Sequence, residues 1–242
     1  MASVAVIHTG YASPTYNPHS LSRRWGLFFS GRILSHLPNE QAPNRQTRAF
    51  RSQLAKWIQT DFQQSFLASA SQTQTYRKIT NARATASCPP DIAPVLLKDD
   101  ISSLDDLVKE TGIDVLALAV LADVPLNRPR NLELEDLVAQ WRWLRLVWSH
   151  FSRPEGTPLT DRPSIAPSAD VMSIARQIDQ YRLNIALAEL RIMFQYLQKA
   201  PANRQNALQL CFIELLRLFC PYIGHELLYR YGAIKSPDQT ES

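Results

Sequence analysis

Residues 126–136 read LNRPRNLELED, directly after the apolar run VLALAVLADVP. Arg128 and Arg130 stand either side of one proline, and Glu133 and Glu135 either side of one leucine. Two chemistries fit those residue types. Guanidinium pairs present planar forks that match phosphate oxygens. Carboxylates brought against other acids repel when ionised, so their pKa values rise and the contact that gathers them becomes sensitive to protons or cations. A plainer reading stays open: Glu133, Glu135 and Asp136 occupy the first turn of a helix and complement its dipole.

Catalytic chemistry has little foothold. The five histidines (8, 19, 36, 150 and 225) are scattered singly. The fragment GHELLYRY has no second histidine four residues on, so it lacks the spacing of a helical zinc site and His225 reads as structural. No nucleophile elbow, P-loop or dinucleotide fingerprint occurs, and 7 glycines leave little material for a phosphate-cradling loop. Asp99–Asp100 and Asp105–Asp106 sit where a helix starts, which capping explains. Neither an enzyme nor a cofactor or metal site is expected.

Charge is distributed unevenly. Residues 1–87 carry ten Lys/Arg against two acids, Glu40 and Asp61, while residues 88–242 carry sixteen against twenty. Arginine supplies 20 of the 26 basic residues, and a polyanionic partner suits that bias. Cys88, Cys211 and Cys220 suggest neither a disulfide framework nor a zinc knuckle, hence a reducing compartment. The first twenty residues lack the pattern of a signal peptide. The most apolar stretch, ALQLCFIELLRLFCPYIG, is interrupted by Glu214, Arg217 and Pro221, so a membrane partner is not expected. With 242 residues and 45% apolar content, one main soluble domain is expected.

Helices must position these groups. Apolar residues at three-to-four spacing predict helices over 20–36 and 45–68, joined by PNEQAPN into an antiparallel pair. Residues 72–87 read as a loop or a short sheet. A helix over 101–124 starts with a Ser102 or Ser103 cap and breaks at Gly112. The helix over 131–151 puts Trp141, Arg145 and Trp148 on one face and Trp143 on another, a pattern of packing, of nucleic-acid stacking or of a membrane interface. Ser168 caps a long helix over 169–199, with Ile174, Ile178, Tyr181 and Ile185 in its buried stripe. The last helix breaks at Pro221.

Residues 114–135, DVLALAVLADVPLNRPRNLELE, resemble a segment of the coat proteins of rod-shaped plant viruses, the tobamovirus-like or virga-like family. There an aspartate-led apolar helix runs into Arg-x-Arg, two residues, then Glu-x-Glu; the matching positions are Asp114, Arg128, Arg130, Glu133 and Glu135. Asp170 and Arg176 match an aspartate and an arginine six residues on at the start of that family's long helix. Trp25 and RQTRAFRSQLAKW, ending at Trp57, resemble its first helical hairpin, and ANRQNALQ the region after the long helix. The likeness spans most of residues 20–210. One extra residue separates Asp114 from Arg128, a Trp-rich helix is added, and Asp61 lies about a turn from where an acidic partner for Asp114 belongs.

The resemblance implies a mainly α fold with an antiparallel four-helix bundle core, an additional Trp-rich helix and a C-terminal helical extension. It divides the chain into an N-terminal arm (1–19), a coat-like domain (20–210, with an inserted helix and loop at 131–167) and an extension with a polar tail (211–242). It also implies a virion or host-cytoplasm protein that self-assembles helically around single-stranded RNA. Arg128 and Arg130 would neutralise phosphates, as would Arg45, Arg48 and Arg51. Bases would lie on the face around Ser173, Ile174 and Gln177, flanked by Asp170 and Arg176. Asp114, Glu133 and Glu135 would be carboxylates at subunit boundaries. A non-polymerising helical RNA-binding or adaptor protein, such as a viral silencing suppressor, and a membrane-associated factor are the alternatives.

Overall fold

The computed structural model describes residues 15–29, 43–66, 90–98, 103–152, 168–199 and 205–234. Among these the fold is mainly helical. The elements are α1 (Pro18–Phe29), α2 (Pro43–Asp61, continued by a π-helical turn Phe62–Phe66), β1 (Val95–Leu97), α3 (Leu104–Thr111), α4 (Ile113–Leu121) and β2 (Arg130–Leu132). There follow α5 (Leu134–Phe151), α6 (Ala169–Asp179), α7 (Leu183–Lys199), α8 (Gln205–Phe219) and α9 (Pro221–Arg230).

Local chemistry sets most of the boundaries. The Ser103 hydroxyl accepts the Asp106 N–H at 3.1 Å and starts α3. Gly112 ends it at φ 81, where a side chain would also press on Pro18, its Cβ lying 2.7 Å from that of the proline. Ser168 accepts the Val171 N–H at 3.3 Å and starts α6. The helix expected over 169–199 is two helices, because Tyr181 turns into the left-handed region (φ 58) and the chain folds back. Gln177 and Glu189 then join α6 to α7 at 3.2 Å. Pro221 opens α9 at a position where no N–H is needed.

Two findings depart from the expected layout. A short parallel pair aligns Val95 with Arg130, Leu96 with Asn131 and Leu97 with Leu132, so the Arg-x-Arg stretch enters a strand before α5 begins. The stretch 211–231, read as an appended extension, is core: Phe212, Ile213, Leu216, Phe219, Ile223 and Leu227 are all buried. Gly224 lets α9 pack tightly on α8, since a Cβ there would fall 2.4 Å from the Arg217 Cα. Helix α1 rests mainly on α9, through Trp25 and Phe29, with one edge-on contact between Phe29 and Trp57 of α2. The Trp-rich α5 is core as well. Its Leu144, Val147, Trp148 and Phe151 are buried, and Phe151 stacks on Phe212, which stacks on Phe194 of α7. The 72–87 segment lies outside the described residues.

Candidate nucleic-acid interface

The Arg-x-Arg stretch is organised from beneath by Arg51. That guanidinium is wholly buried and donates to the carbonyls of Val120, Ala93, Leu126, Arg128, Val124 and Pro125 at 2.8–3.4 Å. The six carbonyls come from the end of α4, the irregular segment after it and the stretch before β1; those of Leu126 and Pro125 also accept the N–H groups of Ala93 at 2.8 Å and Arg128 at 3.0 Å, and one cation ties all six together. Burial, with Arg130 nearby, lowers its pKa to about 10, still far above neutrality. The expectation that Arg51 binds phosphate is therefore corrected: its donors are spent inside the fold.

Arg130 is likewise internal, 5% exposed, with Asp123 at 2.7 Å and Asp136 at 3.4 Å. Asp136 accepts the Glu133 N–H at 3.0 Å, closing the first turn of α5, and Glu133 meets Lys98 at 2.6 Å. This is the helix-start reading of the acidic pair, and Glu135 lies exposed in the same turn. Of the two arginines only Arg128 faces solvent.

Asp114 is not at a surface. Its carboxylate accepts the N–H groups of Tyr222 at 3.2 Å and Ile223 at 2.8 Å, so a residue of α4 caps α9 from across the core. Burial pushes its pKa up to about 7, and the two N–H donors oppose that shift. Asp61 serves Arg217 at 2.6 Å, not Asp114. A second buried charge cluster lies in α9: Glu226, 0% exposed, takes Arg230 at 2.8 Å, the Trp25 indole N–H at 2.9 Å and Arg24 at 3.4 Å. Arg24 covers the Tyr229 ring, Arg230 covers the Trp148 ring, and His225 is packed among Trp25, Phe28 and Phe29.

The base-stacking face is also corrected in its central member. Ile174 is buried with Val171, Ala175 and Ile178 on the inner side of α6. Ser173 is half-buried, Gln177 is engaged with Glu189, and Asp170 and Arg176 are exposed. Arg48 is exposed on α2, and Arg45 lies in the first turns of that helix with its side chain outside the described residues.

On α5 two cations reach solvent, as Arg23, Arg48, Arg128 and Arg176 do elsewhere. Arg142 and Arg145 are exposed, and the Arg145 guanidinium lies 4.7 Å above the Trp141 ring. Leu134 and Val138, two turns and one turn before Trp141, are 42% and 43% exposed. This face borders one of two clefts that share His19. One, of about 530 Å³, has Leu134, Leu137, Val138 and Trp141 along one side and His19 and Glu110 among its polar groups. The other, of about 390 Å³, is lined by His19, Arg23 and Lys109. Among the described residues no group of His, Cys, Asp and Glu side chains could hold a metal ion, and no helix is long and apolar enough to cross a membrane.

No family model matches the chain. Part of it is similar to leucine–tRNA ligases: 26% identity over 139 residues to that of Phenylobacterium zucineum (strain HLK1), and 24% over 152 residues to that of Caulobacter sp. (strain K31). The matches cover 50% and 56% of this chain but only 16% and 18% of those ligases. What the chain defines, then, is a mainly helical protein with a limited likeness to one segment of a tRNA ligase.

Proposed function

We propose that this chain is a helical RNA-binding module that engages tRNA without itself charging it. The observation that carries the reading is the similarity of about half of its sequence to a fraction of leucine–tRNA ligases, proteins whose name makes tRNA their substrate. The outward side of α5 supports it: Arg142 and Arg145 are exposed forked cations and Arg145 lies over the indole of Trp141, which suits phosphate contact. So does the overall preference for arginine, 20 of 26 basic residues. The test is fluorescence anisotropy with a labelled leucine tRNA transcript, a second tRNA and a DNA duplex of similar length. Saturable binding that favours tRNA over the duplex supports the reading, and equal affinity for the two sinks it.

The coat-like reading, with its antiparallel four-helix core and helical assembly on single-stranded RNA, is the second. One observation favours it. Ile185, Ile192 and Tyr196 form a stripe on α7 that is 39%, 64% and 53% exposed, and self-assembly would cover such a stripe. In that reading Arg128, Arg48, Asp170 and Arg176 are the remaining outward RNA contacts. Sedimentation of the same samples separates the two: a discrete complex with tRNA belongs to the module, and rods or stacked discs on long single-stranded RNA belong to the coat.

A further inference from the structure

In the two clefts that meet at His19 we propose a subsite for one unpaired nucleotide of the bound RNA, its base in the larger cleft and its phosphate in the smaller. The inference rests on the tRNA reading and names where on the chain an unstacked residue would go. The larger cleft, about 530 Å³, lies within the roughly 300–1,000 Å³ range of small-ligand sites. Its wall on α5 is apolar and wet: Leu134 and Val138 keep 42% and 43% of their surface exposed although Leu137 between them is buried. Trp141 continues that wall by a further turn and carries the Arg145 guanidinium at 4.7 Å. Opposite stand the polar groups of Glu110, Thr111 and Asn17. A base offers the same combination, flat apolar faces with a polar edge whose amino and ring N–H groups a carboxylate can accept.

The smaller cleft has Val108, Ile113 and Tyr222 in its wall and adds two cations. Arg23 and Lys109 line it, and His19 lines both clefts. The backbone donors at the start of α1 are already taken, because the Asn17 side chain accepts the N–H groups of His19 and Ser20 at 3.0 and 3.2 Å. A phosphate therefore depends on the side chains. Lys109 meets Asp106 at 3.6 Å, but both are solvent-exposed, and such a pair is weak enough for a phosphodiester to compete for the lysine. An apolar cleft beside one that carries Arg23 and Lys109, with a shared histidine between them, fits a base and its phosphate. A paired base cannot enter, since its edge is occupied and its faces are stacked.

The test uses the full chain and three probes: a leucine tRNA transcript, a short oligoadenylate and adenosine 5′-monophosphate. Val138→Glu places a carboxylate on the exposed wall, Arg23→Glu with Lys109→Glu reverses the smaller cleft, and Lys199→Glu on α7 is the charge control. Thermal melts establish that each variant folds. The subsite predicts that each cleft variant weakens tRNA and oligoadenylate binding by about tenfold or more, the scale of one stacked base, and that the control does not. Unchanged affinity in both cleft variants, with wild type binding tRNA, overturns the subsite and leaves the tRNA reading standing. Failure of the wild type to bind either RNA overturns both. Tight binding of the monophosphate that Val138→Glu abolishes, with RNA affinity untouched, overturns the assignment to RNA and gives the clefts to a free nucleotide.

Discussion

Arg51 and Arg130 on one side, and Arg142 and Arg145 on the other, are the same residue type put to opposite uses. The first two are 0% and 5% exposed and hold an irregular segment together from within, through six carbonyls in one case and two aspartates in the other. The second two lie on the outer face of α5, one of them over an indole. The difference teaches that a motif of cations says nothing of its partner until burial is known. A buried guanidinium is a scaffold for carbonyls that have no helix or strand to join, and an exposed one is available to a polyanion.

Substitutions can break this comparison, and the largest effect belongs at Arg51. Arg51→Ala leaves several carbonyls without a donor, and at ~1.5–3 kcal/mol for each hydrogen bond to a charged group the loss approaches the whole stability of a typical domain. Little or no folded protein is expected by circular dichroism; a variant melting near wild type would contradict the structural role. Glu226→Gln comes next. It leaves Arg24 and Arg230 buried against a neutral partner, at a cost of about 3–5 kcal/mol. Chemical denaturation reads it directly, and a loss under ~1 kcal/mol would show that water reaches the cluster.

Asp114 sharpens the comparison by pH. Its pKa lies near 3.8 in an unfolded chain and about 7 in the fold, so folding takes up a proton between those values. The associated stability is fully present below the lower value and is lost as pH rises through the upper one. The melting temperature should fall between pH 5 and pH 7.5, values chosen to lie roughly either side of that titration. Asp114→Asn cannot titrate, so it should melt close to wild type at pH 5, where the wild-type side chain is itself neutral, and lose that part of the slope. An unchanged slope would assign the titration elsewhere. The smallest effect separates the two members of the motif. Arg128→Ala should stay within about 0.5 kcal/mol of wild type, whereas Arg130→Ala takes from Asp123 and Asp136 the cation they share and costs more.

Much of the helical framework was legible in the sequence because its signals are local. Ser103, Gly112, Ser168 and Pro221 each act within a few residues of their own position, and all four mark real boundaries. The break at Tyr181 carries no glycine or proline, so hydrophobic spacing ran straight through it. The candidate site was less legible, since burial depends on residues far apart in the chain. One signal was nevertheless available: Arg51 falls in register with Leu54, Ala55, Ile58 and Phe62, the buried stripe of α2, which marks it as inward-facing. Ile174 sits in the same way among Val171, Ala175 and Ile178. Asp114 opens a helix buried on every side, and nothing near it in sequence announces that α9, more than a hundred residues on, needs a cap.

The central claim is that RNA is met by the outward cations of α5, and the salt dependence of tRNA binding tests it most directly. Affinity should fall with added salt in wild type. Arg142→Glu with Arg145→Glu should melt as wild type does, bind tRNA at least about tenfold more weakly and show a salt slope shallower by roughly 0.7–0.9 for each phosphate that is no longer neutralised. A double variant that folds and keeps both the affinity and the slope of wild type would contradict the account.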